Sequence, residues 1–448
     1  MTIDAQAVQD LLQTARTRGA SGGDALLVDS TSFEAQVRLG DVETVQNSHQ
    51  KRLGLRLFFG QRSATTSTSD FSPASLRQLL DDTCALAQAM ADDEHAGLPE
   101  PSEVATTVPD FGLCDDSLQQ LPPAERIAMA RDAERAALDY DSRITNSEGG
   151  SYDSSQGDVT YVNSHGFVGH YRASQASLSV ASIASDAGGM QSASWFTAGR
   201  RMDSLQAPEA LGREAARRTL RRLGARRVPT QKVPVIFDAS VAAGLLNHLF
   251  STVSGSAIYR AASFLTDCIG QQIAPETVTV YDDGTLPGAP GSKPFDGEGL
   301  PTRRTTVVEQ GVLRTYLLDT YTGRKLGMRS TGNAARSAGE APSVSPTNFY
   351  LVPGTATPEE IIASVPDGLY VTGLIGFGVN PVTGDYSRGA SGLWIEGGEL
   401  TYAVEEITIA GNLRHMLADI EMIGNDLDRR RRVMAPTLKI REMTIAGS

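Results

Sequence analysis

The chain of 448 residues is too long for one ordinary domain and predicts two or three. Apolar residues at 40% and charged residues at 21% are typical of a globular protein with sizeable buried cores. The net charge of −13 argues against a general nucleic-acid-binding protein, because affinity for phosphate depends on a surplus of lysine and arginine. Cys84, Cys114 and Cys268 are widely spaced without a CxxC pair, which indicates free thiols in a reducing cytosol.

The N-terminal segment predicts a helix rather than a targeting signal. Residues 1–20 contain no apolar stretch of signal-peptide length and have amphipathic spacing. No apolar run in the chain approaches the roughly 20 residues needed to cross a bilayer. We therefore expect a soluble cytoplasmic protein.

The first half of the chain repeats one order of predicted elements: a helix, several strands and a second helix. The first cycle has a helix over residues 4–18 and another that starts after Ser72, with Pro73 at its first position. Its predicted strands are 25–29, 33–39, 42–48, 52–59 and 62–66. The second cycle has helices at 124–139 and 207–223 and strands at 142–147, 158–163, 167–178 and 192–198. The repetition predicts an α+β domain of antiparallel strands and helices over residues 1–223 and suggests a distant duplication.

The second half has a different pattern. Residues 224–232 are polar with one proline and predict a linker. A short apolar strand over 233–237 and a helix over 238–253 follow, and from residue 278 onward only 358–364 predicts a further helix. We expect a C-terminal domain over 233–448 that is mostly antiparallel β, as a large twisted sheet or a closed barrel. The fold class is therefore α+β.

The most strongly specified stretch is a hairpin near the C-terminus. Strands at 393–396 and 399–409 flank Gly397 and Gly398, and a glycine pair is a good signal for a tight turn with positive φ. Trp394, one of two tryptophans, is expected to anchor a buried face.

Three stretches of the chain resemble the TldD/PmbA family, whose members were once called modulators of DNA gyrase. They are RLGDVETVQNSHQKRLGLRLFFGQRSATTSTSD, PVIFDASVAAGLLNHLFSTVSGSAIYRAASFL and GDYSRGASGLWIEGGELTYAVEEITIAGN. The resemblance extends over nearly the whole chain and implies a cytoplasmic, dimeric protein of mixed α and β structure. It implies one of two roles, because the TldD branch is a zinc peptidase acting on unfolded peptides and the PmbA branch, also called TldE, is its companion subunit.

The positions that match the family's zinc motif decide between the two branches. In the motif HExxxH two histidines bind zinc and the glutamate acts as general base. By the resemblance these positions are Asn247, His248 and Thr252 here. The family's further cysteine ligand would fall near Ile423, and the sequence has no cysteine after Cys268. We assign the chain to the PmbA (TldE)-like branch, with no zinc or other cofactor in this chain and zinc expected in the partner subunit.

Other motifs predict no second active site. His165 and His170 are the only closely spaced histidines, and two ligands are too few for zinc. The glycine-rich stretches near residues 288 and 376 lack the spacing of a Walker loop or a dinucleotide-binding loop, and Ser391 is not in a nucleophile elbow. Cys268 is interpreted as a buried structural thiol. His248 is interpreted as a hydrogen-bonded helix residue rather than a catalytic one.

Contacts with a peptide or a partner are predicted at Trp394, Glu396, Arg303 and Arg304. The two arginines follow FDGEGLPT, a loop that by the resemblance borders the active-site cleft. The run of four arginines at 429–432 is either a solvated face or a contact for an acidic partner surface or a peptide carboxylate.

These observations predict a companion subunit of a cytoplasmic peptidase. A TldD-like metallopeptidase partner would supply zinc and hydrolysis, while this chain would shape the cavity that admits unfolded peptides. Two alternatives stay open. The chain could be a homodimeric peptide-binding or regulatory protein without catalysis, or a self-sufficient hydrolase that uses His248.

Overall fold

Six antiparallel strands form the N-terminal sheet of the computed structural model, which describes residues 4–447. The strands are β1 (Gly22–Arg38), β2 (Asp41–Phe59), β3 (Arg62–Thr68), β4 (Ile144–Asn163), β5 (Val168–Asp186) and β6 (Gly189–Gly199). Their order across the sheet is β3-β2-β1-β4-β5-β6. The sheet is therefore symmetrical about the central pair of β1 and β4.

Helices cover one face of this sheet. They are α1 (Ala5–Thr17), α2 (Pro73–Ala89), α3 (Ser117–Gln120), α4 (Pro123–Leu138), α5 (Pro208–Leu220) and a 3-10 turn at Met202–Ser204. Ala25 and Leu27 of β1 pack with α1 and α2, whereas Phe33 and Val37 pack with α4 and α5. All four occupy odd positions of one strand, so the two pairs of helices lie on the same face. The predicted repeat is thus present as the order helix, three strands, helix.

The strands are longer than the sequence predicts, and this corrects several of the expected boundaries. β1 runs unbroken through Ser30 and Ser32, and β4 runs through the glycines and serines that separate its two predicted pieces. Ser30 is paired with Gln50 on one side and Gly157 on the other. The main-chain ladder continues through these small polar residues because the sheet face that they occupy is not covered by helices, so burial does not require apolar side chains.

Between residues 224 and 447 the structure has thirteen further strands and five further helices. The strands are β7 (Gln231–Phe237), β8 (Val280–Asp283), β9 (Arg304–Glu309), β10 (Val312–Leu313), β11 (Ala334–Ala335), β12 (Ser343–Val344), β13 (Phe349–Leu351), β14 (Asp367–Ile375), β15 (Asp385–Glu396), β16 (Glu399–Asn412), β17 (Ile420–Ile423), β18 (Val433–Met434) and β19 (Leu438–Ala446). The helices are α6 (Ala239–Val253), α7 (Gly255–Tyr259), α8 (Thr320–Lys325), α9 (Pro358–Ala363) and α10 (Leu413–Ala418).

A closed barrel forms the centre of this half. The strands pair in the order β16-β15-β14-β7-β19, and β19 pairs again with β16, which closes the ring. A second sheet has the order β10-β9-β8-β13-β18. Helix α6 lies against β14, β13 and β18 and buries Leu245, Leu246 and Leu249 in the largest hydrophobic core. Most pairs are antiparallel, and β7–β14 and β13–β18 are parallel, so the α+β prediction and its barrel alternative are confirmed.

The sequence does not predict four short helices, α3, α7, α8 and α10. Only α9 was expected after residue 278, yet α8 and α10 are also present, each with six residues. Such helices are too short for hydrophobic periodicity to be recognised. The N-caps of α8 and α10 were the available signal: Asp319 accepts from the Thr322 amide at 2.7 Å, and Asn412 accepts from the Arg414 amide at 3.1 Å.

The predicted hairpin is confirmed. Glu396 of β15 faces Glu399 of β16, and Gly397 and Gly398 between them have φ of 60° and 83°. Trp394 is 6% exposed and stacks on Tyr402 with an interplanar angle of 20°. The stacked side chains of Trp394 and Tyr402 therefore stabilise the hairpin.

The other face of the N-terminal sheet meets the C-terminal half. Leu26 of β1 and Tyr161 of β4 pack against Phe295, which lies in the loop between β8 and β9.

No helix among residues 4–447 is long and apolar enough to cross a membrane.

Candidate functional site

A groove follows one side of α6, where the resemblance aligns the zinc motif. Gly244, Asn247, His248 and Ser251 are spaced by three or four residues and therefore share one helical face. They lie along two adjoining hollows of about 450 and 400 Å³, which share Gly244, Asn247 and Arg388. We call this pair of hollows the α6 groove.

His248 is half-buried in the groove wall. Its ring lies 6.0 Å from the ring of Tyr386 of β15 in an edge-on arrangement. Within residues 4–447 its Nε2 atom has no hydrogen-bond partner. Burial lowers the pKa of His248, and the nearby charge of Arg388 lowers it further. The imidazole is therefore neutral at neutral pH.

The other two motif positions line the same hollow as His248 but differ from it in burial. Thr252 is fully buried, and its hydroxyl donates to the Leu249 carbonyl at 2.8 Å. Asn247 is exposed, and five residues of helix separate its direction from that of Thr252 by roughly 140°. Ile423, at the position near the expected cysteine, is buried in β17 and pairs with Leu438.

The charged side chains that line the groove are all positive. Arg388 of β15 borders both hollows, and Arg431 borders one of them. The side chains that line the two hollows include no aspartate or glutamate. The Nε atom of Arg388 is buried and has no hydrogen-bond partner within the described part of the chain. An acidic protein thus has a local basic site beside α6.

The arginine run at 429–432 has more than one role. The Arg430 guanidinium forms two hydrogen bonds with Asp428, each of 2.7 Å, and lies 4.0 Å from the ring centre of Trp195 in β6. Arg430 therefore attaches this loop to the N-terminal sheet. Arg431 lies 4.8 Å from the ring centre of Phe196 and faces the α6 groove.

A larger cavity of about 1210 Å³ lies between the two halves of the chain. Its walls come from β2, β3 and the segment after α2 on one side, and from α7, α8 and the segments near Glu298 and Gly339 on the other. No local sequence pattern predicts this cavity, because its two walls are more than 150 residues apart in the chain. We call it the interdomain cavity.

A buried ionic network underlies the interdomain cavity. Asp24 accepts from Arg56 at 2.5 and 3.2 Å, from Arg336 at 2.7 Å and from the Tyr161 hydroxyl at 3.1 Å. Arg56 also lies 3.5 Å from Glu298. The two halves of the chain are therefore joined by charges that are almost completely removed from water.

Burial sets the ionisation of this network. It disfavours the charged form of Asp24, yet Arg336 and Arg56 outweigh it and lower the pKa of that carboxyl. For Glu298 burial is the stronger influence and raises the pKa to about 7, although Arg56 opposes it. Two carboxyl groups that contact one arginine thus respond in opposite directions. Arg336 has Nε and Nη2 atoms that find no partner within residues 4–447.

The predicted contact residues lie outside both hollows. Arg303 donates to the carbonyls of Thr331 and Ser330 at 3.2 and 3.1 Å, and Arg304 lies 5.0 Å from the ring centre of Tyr281. Glu396 is exposed at the tip of the hairpin, whereas Trp394 is buried in the barrel. In the predicted cleft loop, Glu298 borders the interdomain cavity. Peptide or partner contact by the four predicted residues stays a prediction.

The histidines and cysteines form no alternative centre. His170 lies 3.1 Å from Asp158, and Cys268 is buried with its sulfur 3.4 Å from the Thr266 carbonyl. Between residues 4 and 447, no group of three or more His, Cys, Asp and Glu side chains is arranged to hold a metal ion.

The six-stranded sheet followed by a barrel with the α6 groove defines a class of protein. Models of the PmbA/TldA metallopeptidase domains match the chain in three consecutive segments. Domain 1 matches residues 23–87, the central domain 116–223 and the C-terminal domain 230–447. Together with a relative that is 37% identical over 447 residues, these matches show that the chain belongs to the PmbA/TldD metallopeptidase family.

That relative is the metalloprotease PmbA of Escherichia coli O157:H7, and the match covers 99% of this chain and 96% of the relative. A metalloprotease PmbA homolog of Haemophilus influenzae is 35% identical over 444 residues, with the same coverage. Among solved structures, a modulator of DNA gyrase from Bacteroides thetaiotaomicron has a TM-score of 0.92 at 28% identity and full coverage of both chains. TldE from Thermococcus kodakarensis has a TM-score of 0.87 at 22% identity over 98% of this chain and 99% of that one, which shows a shared fold.

Proposed function

We propose that this chain is the zinc-free companion subunit of a cytoplasmic peptidase, paired with a zinc-bearing relative of the TldD kind. The complex hydrolyses unfolded peptides, and the partner supplies the metal and the base. This chain contributes walls and strand edges that hold the peptide. Support for the pairing comes from the family, whose matches to this chain include proteins named TldD as well as PmbA.

The observation that carries the proposal is the set of groups at the zinc-motif positions. A zinc site needs three or four donors that converge on one point, and its base is a carboxylate. Here an exposed amide, a neutral histidine and a hydroxyl already bonded to its own helix occupy these positions. The guanidinium of Arg388 beside them repels a dication. These residues do not fit zinc, and no step of hydrolysis is assigned to them.

One strand edge suits an extended peptide. Residues 41–52 of β2 pair with β1 on one side, and β3 covers only the later part of β2 from Leu53 onward. Among the described residues no strand pairs with the other edge of this first part. Addition of a strand there would bind a peptide through its backbone and tolerate many sequences.

The experiment is a capture of the tagged full-length chain from the cells in which it naturally occurs. We expect a relative with an intact HExxxH motif to copurify, and we expect the complex to degrade an unfolded substrate such as casein. A zinc chelator should abolish the activity. Purification as a homodimer without hydrolysis would favour the regulatory alternative. Chelator-resistant hydrolysis by the chain alone would favour the hydrolase alternative.

A further inference from the structure

The arginine in the α6 groove has no carboxylate partner among residues 4–447, unlike Arg430 and Arg56. Arg430 is paired with Asp428, and Arg56 is paired with Asp24 and Glu298. Arg388 interacts with the side chain of Tyr386, but its buried Nε has no partner within residues 4–447, and the hollows beside it contain no carboxylate. A buried donor that stays unpaired costs roughly 1–3 kcal/mol. Such a group is best explained by a ligand that supplies the missing acceptor.

The groove also selects the kind of acceptor. A guanidinium presents parallel N–H donors that match the two oxygens of a carboxylate. Arg431 adds a second positive charge, and the exposed amide of Asn247 adds a further donor between the two hollows. An anion is therefore favoured here, and a metal cation is not.

Apolar surface and free space lie next to these donors. Phe377 is fully exposed at the rim, and Val379 and Leu413 continue the apolar wall. Gly244 leaves the helix surface bare, because a Cβ atom there would meet nothing within 4 Å. The groove thus has a positive part for an anion and an apolar part for a side chain attached to it.

We propose that the α6 groove binds the C-terminal carboxylate of an extended peptide. Arg388 holds the carboxylate, Arg431 and Asn247 assist, and the last side chain of the peptide rests on Phe377 and Leu413. The inference rests on the proposed function for its peptide ligand and adds which end of the peptide this chain recognises.

The test compares two hexapeptides of the same sequence, four glycine or serine residues followed by alanine and leucine, labelled with fluorescein at the N-terminus. One has a free C-terminal carboxylate and the other a carboxamide. Binding to the full-length chain is measured by fluorescence anisotropy. We expect the carboxylate to bind at least about tenfold more tightly than the amide, because only the carboxylate forms charge-assisted hydrogen bonds with Arg388.

Two variants separate charge from shape. Arg388→Gln should remove the preference for the carboxylate. Gly244→Leu should weaken both peptides by occupying the groove, and it should fold well because leucine is a better helix former than glycine. Arg429→Gln is the matched control, since Arg429 is an exposed arginine outside both hollows, and it should behave as wild type.

Three results would overturn the inference: equal binding of both peptides, binding of neither, or an unchanged preference in Arg388→Gln. If Arg388→Gln does not fold, the effect of Gly244→Leu decides, and wild-type affinity in that variant rejects the groove. This test can fail while the proposed function holds, and the reverse is also possible. A zinc-dependent complex whose companion chain does not discriminate the peptides contradicts this inference alone. Selective binding without any zinc-bearing partner contradicts the proposed function alone.

Discussion

The α6 groove and the interdomain cavity place charged side chains out of water in different ways. In the network below the cavity, Arg56 and Arg336 each have a carboxylate partner in Asp24. In the groove, Arg388 has no carboxylate partner among the residues that the structure describes, and the lining contains no acid. Both regions hold arginine side chains largely out of water, but only in the network do the arginines have a carboxylate partner within the described chain.

This difference distinguishes charged residues that stabilise the fold from charged residues that can bind a ligand. A pair of buried opposite charges holds two segments together. Removing one partner leaves the other charge buried without compensation, which destabilises the fold. A guanidinium without a carboxylate partner holds no other segment in place, and at the wall of a groove it can bind a ligand. We therefore expect changes in the network to alter stability and changes in the groove to alter binding.

The largest expected effect lies in the barrel below the groove. Trp394 belongs to the same hydrophobic core as the buried face of α6. Trp394→Ala should lower the free energy of unfolding by about 3–5 kcal/mol, through lost burial and the cavity left behind. Urea unfolding measures it. Phe377→Ala is the control, because that ring is fully exposed and its loss should change stability by less than about 1 kcal/mol. If Trp394→Ala has the same free energy of unfolding as wild type, the indole is not part of the core.

Breaking the ionic network tests the comparison itself. Arg56→Met should destabilise the chain by about 3 kcal/mol, because Glu298 loses its cation and Asp24 keeps only one of its two cations, Arg336. Arg388→Met, the same change in the groove, should cost less than about 1 kcal/mol. The measurement is denaturant unfolding of both variants at neutral pH. Equal losses would remove the distinction between the two regions.

We expect the stability of the chain to depend on pH because of Glu298. Burial raises its pKa from 4.5 to about 7, so the folded chain binds an additional proton between these values. This contribution is fully present below pH 4.5 and is lost as the pH rises through 7. Relative to Glu298→Gln, wild type should therefore lose about 1–3 kcal/mol of stability between pH 5 and pH 8. Glu396→Gln, at the exposed hairpin tip, should track wild type at every pH. A pH-independent difference between wild type and Glu298→Gln would mean that Glu298 is ionised throughout.

The smallest effect is expected at His248. In the peptidase complex, His248→Ala should lower kcat by less than about tenfold, because this neutral histidine is not the base on our account. Any loss should appear mainly in KM, since the ring borders the groove. Peptide hydrolysis by the assembled variant measures both constants. A fall in kcat beyond about 100-fold, with folding and assembly intact, would support the alternative of an active hydrolase.

Local patterns predicted local structure well. The boundaries of α6 and the turn at Gly397 and Gly398 follow from caps, apolar periodicity and glycine pairs, which act over a few residues. The interdomain cavity could not be predicted, because Asp24, Glu298 and Arg336 meet only after the two halves pack. The motif positions on α6 were found by resemblance.

Arg388 was within the most recognisable stretch of the chain, yet its position beside α6 depends on the barrel. Its strand, β15, pairs with β14, and β14 pairs in parallel with β7. Helix α6 follows β7 directly in the chain. The register of three strands therefore decides which side chain of β15 faces the groove. No spacing within the sequence carries that information.

The measurement that tests the central claim most directly is the zinc content of the full-length chain, purified alone and with its partner, by elemental analysis. The account predicts less than about 0.1 zinc per chain when it is alone and about one zinc per pair in the complex. About one tightly held zinc per chain in the isolated protein would contradict the account, because the ligands would then have to come from this chain.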